Sequence, residues 1–180
     1  MKHIFDVIAI MTTVFATTFA GFANAGEAVR IDKTNMTEQI DYEVHFCYRP
    51  SPKFLGIPGH AYVAFWSQDS ETKNVTFRAF GATSSGITGI FNGDGYLSPE
   101  YQDNVDSDCL VVIVNSPLYN SAWSIAKPLF GEPEYSFWNY GLLNSSCVDY
   151  ARNIASALSL TLNDSELPNE FIELLKSQNS

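Results

Sequence analysis

The sequence predicts an α+β domain in which a small antiparallel sheet packs against helices, and three observations carry that expectation. Strand-like runs come first, at 40–48, 60–66 and 75–80, with a shorter apolar one at 110–114. The second and third are joined by a short polar stretch, 67–74, which suits a hairpin. Helical periodicity then takes over at 118–130, 144–160 and 168–176. Strands followed by helices, rather than regular alternation of the two, is the pattern of an α+β chain.

Lys2 and His3 precede an apolar run from Ile4 to Phe22, and Ala23-Asn24-Ala25 supplies the small-x-small pattern of an export signal cut before Gly26. This gives a leader at 1–25 and one globular domain at 26–180. Asp6 and the threonines Thr12, Thr13, Thr17 and Thr18 make the run a poor membrane anchor. Residues 26–38 are polar and weakly patterned, a loose lead-in. From Ile40 the chain alternates, with Tyr42, Val44, Phe46 and Tyr48 on one side and Glu43, His45 and Cys47 on the other, a half-buried strand. Pro50, Pro52, Gly56 and Pro58 then enforce a loop.

His60–Trp66 and Val75–Phe80 are rich in aromatic and β-branched residues and read as the two strands of the hairpin. Gly81 to Tyr101 holds Gly81, Gly86, Gly89, Gly93 and Gly95 with little hydrophobic period, and reads as a long exposed loop bordering a binding site. Leu110–Val114 suits a strand buried on both faces. Leu118–Phe130 is helical up to Pro128 and Gly131. The aromatic segment Tyr135–Tyr140 serves either as groove lining or as core packing. Phe171, Leu174 and Leu175 form the apolar side of a closing helix at Pro168–Lys176.

Composition excludes some partners. The 180 residues are 46% hydrophobic and carry 10 Lys and Arg against 20 Asp and Glu, a net charge of −10. Nucleic acid and anionic membrane surfaces find no electrostatic grip on such a chain. No cluster has metal-ligand spacing and no glycine fingerprint for phosphate is present, so neither a metal nor a cofactor is expected.

The cysteines and histidines carry the chemistry. Ser145 and Ser146 are good N-caps, Asp149 stands three residues after Ser146, and Val148, Ala151, Ala155 and Leu158 recur at helical spacing. Cys147 therefore opens an amphipathic helix, where unpaired amides and the helix dipole favour a thiolate. The alternative is a small buried hydrophobe or half of a disulfide. Three cysteines in an exported chain leave one over. A Cys47–Cys109 bridge is favoured because both lie on or beside strands, and Cys147 is then the free thiol. With His3 in the leader, His45 and His60 are the candidate bases. His45 sits on the polar side of its strand. His60 follows a glycine and begins a strand, from which it can project into a cleft, and is preferred.

Two motifs carry a family resemblance: "PGHAYVAF" at Pro58–Phe65 and, further along, "NSSCVDYARNIA" at Asn144–Ala155. The pair resembles the circularly permuted branch of the papain-like, NlpC-type cysteine hydrolases, in which a histidine at a strand start precedes a cysteine that opens a helix. The resemblance implies a papain-like single domain with Cys147 as nucleophile and His60 as general base. It further implies acyl transfer, with bacterial cell-wall peptide as the first substrate class and lipid or other acyl esters, hydrolysed or passed to an acceptor, as the second. The export signal, for its part, implies a periplasmic or secreted location. The family carries a third polar residue on the strand after the histidine, but here Val75–Phe80 holds no histidine, glutamate or asparagine. Thr76, Arg78 or a backbone carbonyl are the local substitutes, and the role stays unassigned. That departure sustains a competing expectation, an inactive binding module of the same fold. An exported inhibitor-like or immunity-like protein is a third.

Overall fold

A computed structural model describes residues 29–34, 42–51, 59–84, 93–100, 109–126, 137–140 and 146–180. The expected leader, 1–25, and the proline-rich loop at 52–58 lie outside them. The strands are β1 (Val29–Asp32), β2 (Tyr42–Arg49), β3 (His60–Gln68), β4 (Val75–Ser84), β5 (Gly93–Glu100), β6 (Cys109–Ile113) and β7 (Phe137–Tyr140). The helices are α1 (Ser116–Ala126), α2 (Cys147–Ala157) and α3 (Pro168–Asn179). Among the described residues one seven-stranded sheet forms, in the order β1-β6-β2-β3-β4-β5-β7. All its pairings are antiparallel except β1 with β6. The α+β expectation holds.

Two expectations are corrected. The lead-in at 26–38 contains a strand, because Val29–Asp32 joins the edge of β6 in parallel, from Val29 opposite Leu110 to Asp32 opposite Ile113. Four residues of alternating exposure are too few to stand out in a sequence. The glycine-rich stretch 81–101 is likewise not simply a loop. β4 continues to Ser84, and Gly93–Glu100 pairs with it from Ala79 opposite Glu100 to Ser84 opposite Gly95. Glycine weakens strand propensity, but an open sheet edge supplies the hydrogen-bonding partner that propensity lacks.

The two faces of the sheet differ. Val44, Phe46, Val63, Phe65, Phe80 and Leu110 belong to a core shared with α2 and α3, whose Val148, Ile154, Phe171 and Leu175 are fully buried. α1 closes part of this face. Phe65 meets the Trp123 ring edge-on at 5.0 Å and the Tyr119 ring at 5.7 Å. The opposite face carries a smaller cluster with Tyr62, Ala64, Ala79 and Val111 around Cys47 and Cys109. Those cysteines are direct partners on β2 and β6, with Cα atoms 4.2 Å apart, and form a disulfide. The bridge expected from the sequence is therefore present, and Cys147 is the free cysteine. A disulfide, together with the finding that no described helix is long and apolar enough to cross a membrane, is compatible with an exported protein.

Candidate active site

α2 begins as its sequence dictates. The Ser146 hydroxyl accepts from the amides of Val148 at 3.1 Å and Asp149 at 3.3 Å, and Asp149 Oδ2 accepts from the Ser146 amide at 2.8 Å. This is a reciprocal capping box. Asp149 is itself held, since Arg152 donates to its Oδ1 at 2.6 Å and also to the Ser165 carbonyl at 2.9 Å. The cap thus locks the first turn to the segment before α3. Cys147 is the first helical residue. Among the described residues its own amide makes no hydrogen bond, because the cap engages the next two amides instead. The residue is 3% exposed.

His60 opens β3 directly opposite Arg49 of β2. The glycine before it has the expected purpose of close approach: a Cβ on Gly59 would lie 2.2 Å from the Tyr48 ring. The imidazole interacts with both the Cys147 side chain and the Glu100 carboxylate. Nε2 stands 3.3 Å from Glu100 Oε1, a distance that makes an ion pair. The contact is off-axis, and Nε2 has no aligned hydrogen-bond acceptor. This edge of the ring faces Glu100. Arg49 donates to the same Oε1 at 3.0 Å, so the nearly buried carboxylate is shared between two cations.

Electrostatics follow from that arrangement. Burial by itself would push the His60 imidazole down. The Cys147 side chain and the Glu100 carboxylate outweigh it and raise the group from 6.5 to about 9. At neutral pH the ring is therefore held as imidazolium.

No family model, curated protein or solved structure matches the chain. The chemistry has to be read from these residues alone. Of the two candidates for the base, His60 is brought to Cys147 and His45 is not. His45 contacts Glu43 Oε2 at 2.8 Å, and its strand neighbour Cys47 lies in the cluster on the sheet face away from the helices. Burial pushes the Glu43 carboxyl up, but His45 and Arg30 together hold it below the usual range. This is a self-satisfied ion-pair group rather than a second site.

Neither of the two side chains offered as substitutes for the third residue, Thr76 and Arg78, serves His60. Arg78 lies over the Trp123 ring at 5.4 Å, and Thr76 lines a polar cleft of about 370 Å³ with Ser67 and Asp69 at the far end of the hairpin. The carboxylate comes instead from Glu100, in a stretch whose glycines suggest a loop. No spacing could have nominated it, since it reaches His60 only through the pairing of β4 with β5. Among the described residues no group of three or more His, Cys, Asp and Glu side chains is arranged to hold a metal ion.

Proposed function

We propose that this chain is an exported thiol-dependent acyl hydrolase or acyltransferase of the permuted papain-like, NlpC type. Cys147 is the nucleophile, His60 the general base and acid, and Glu100 the group that orients His60. The single observation that carries the reading is one part-buried imidazole that interacts with both a free helix-opening thiol and a carboxylate, with its charged form favoured at neutral pH. A structural cysteine in a core requires no such partners.

The steps follow from these positions. In the resting site the Cys147 proton already sits on His60, a thiolate–imidazolium pair. The thiolate attacks the acyl carbon, and the Cys147 amide, not engaged by the cap, donates to the oxyanion. The tetrahedral species collapses by breaking the carbon–nitrogen or carbon–oxygen bond, while the imidazolium passes its proton to the leaving amine or alcohol. His60, now neutral, deprotonates a water or an acceptor nucleophile that attacks the thioester, and the departing thiolate restores the pair. Glu100 keeps the ring oriented and balances its charge throughout. Cell-wall peptide amides are the first substrate class and acyl esters the second, with a periplasmic or secreted setting.

A second reading is favoured by one observation: Cys147 is only 3% exposed, as in a binding module of this fold with a structural cysteine. Iodoacetamide alkylation of the native protein, followed by mass spectrometry across pH, separates the two. The enzyme reading expects Cys147 to be labelled faster near neutral pH than a free cysteine, and to lose that advantage in His60→Ala. A thiol that reacts only after unfolding leaves the binding module.

A further inference from the structure

We propose that Gly81 is a positioning residue: its missing side chain opens a slot across β4 through which the His60 imidazole reaches Glu100. The inference rests on the reading of His60 as the base, and it identifies the device that lets a carboxylate two strands away orient it.

The sheet order sets the problem. His60 stands on β3 and Glu100 on β5, with β4 between them. Along β4, Ala79 faces Glu100 and Gly81 faces Ser98. An imidazole anchored on β3 meets a β5 carboxylate only by lying over β4. It does so at Gly81, where an added Cβ would stand 1.9 Å from His60 Nε2, 2.7 Å from Cε1 and 2.9 Å from Cδ2. Those three atoms are the whole ring edge turned toward Glu100, and each separation is below any real carbon contact.

Two further facts isolate the cause. The Gly81 backbone does not adopt the positive φ that favours glycine, so a side chain is excluded by space and not by conformation. The strand cannot retreat either. Its neighbours Phe80 and Ala82 are buried in the core under the helices, and Ala82 is paired with Leu97. The ring, by contrast, can rotate about its own side-chain bonds. A methyl group at position 81 therefore evicts the imidazole from Glu100 and leaves the sheet in place.

The test uses Gly81→Ala, Glu100→Gln, His60→Ala and the two double variants that combine Gly81→Ala with each of the others. Imidazole NMR titration and thermal unfolding are followed for each. Gly81→Ala should lower the His60 midpoint from about 9 toward 6.5. Glu100→Gln should lower it in the same direction, and the Gly81→Ala/Glu100→Gln pair should shift it no further than the larger single change. In the His60→Ala background, Gly81→Ala should cost no melting temperature, since the ring it would strike is gone. That comparison decides the matter even if Gly81→Ala alone does not fold. A His60 midpoint unmoved by Gly81→Ala overturns the proposal, as does an equal loss of melting temperature with and without the ring. None of these measurements needs turnover. A thiol inert to alkylation would refute the hydrolase reading while leaving the slot intact.

Discussion

Replacing Glu100 by Gln removes one charge and almost no volume, and the site geometry says how far the effect should reach. Two unit charges 3.3 Å apart at an effective dielectric near 20 attract by about 5 kcal/mol. Arg49 draws on the same carboxylate oxygen at 3.0 Å, and the contact to Nε2 is off-axis, so only part of that attraction is specific to the ring. A fall of roughly 1 to 2 units in the His60 midpoint, or about 1.4 to 3 kcal/mol, is the expected size. The sign fixes the pH window. His60 has its folded value raised to about 9 from 6.5, so its contribution to stability is complete below 6.5 and is lost as the pH rises through 9. Urea unfolding should therefore find Glu100→Gln less stable by that amount near about pH 6, with the deficit shrinking toward about pH 10. A deficit that stays constant with pH, or a His60 midpoint that does not move, would refute the coupling of the two side chains.

Further outcomes follow from the same geometry. Cys147→Ser and His60→Ala should each abolish acyl turnover while leaving the circular dichroism spectrum unchanged, and full activity in His60→Ala would mean that another group is the base. Ser146→Ala removes the acceptor for two first-turn amides and should cost about 1 kcal/mol in urea unfolding. It should also slow alkylation of Cys147, whose position that cap fixes. Replacing Cys47 and Cys109 together by Ala opens a cross-link between residues 62 apart in the chain and should cost up to about 4 kcal/mol on the chain-entropy view. The unmodified protein should show one free thiol after denaturation without reductant, and three would mean that the bridge does not form.

Much of this architecture was legible in residue patterns. The alternation of β2, the aromatic hairpin strands β3 and β4, the buried run of β6 and the capped start of α2 each depend on neighbours a few residues apart, which is the range over which periodicity and capping act. The choice of Cys147 as the free thiol followed from an odd cysteine count together with the place of Cys47 and Cys109 on or beside strands, and His60 from its glycine and its place at a strand start. β1 and β5 were illegible for a shared reason: each becomes a strand by adding to an edge that distant residues have built, and β1 is too short for its alternation to stand out while β5 has no clear hydrophobic period.

The same division runs through the site. The side chains with the chemistry stand out in the residue pattern, because a helix cap, a strand start and an odd cysteine are local or countable properties. Which of them meet is fixed by the folded sheet. Glu100, Arg49 and Gly81 come to His60 through strand pairings set by register, and register depends on the burial of the whole sheet against its helices rather than on any short stretch of chain.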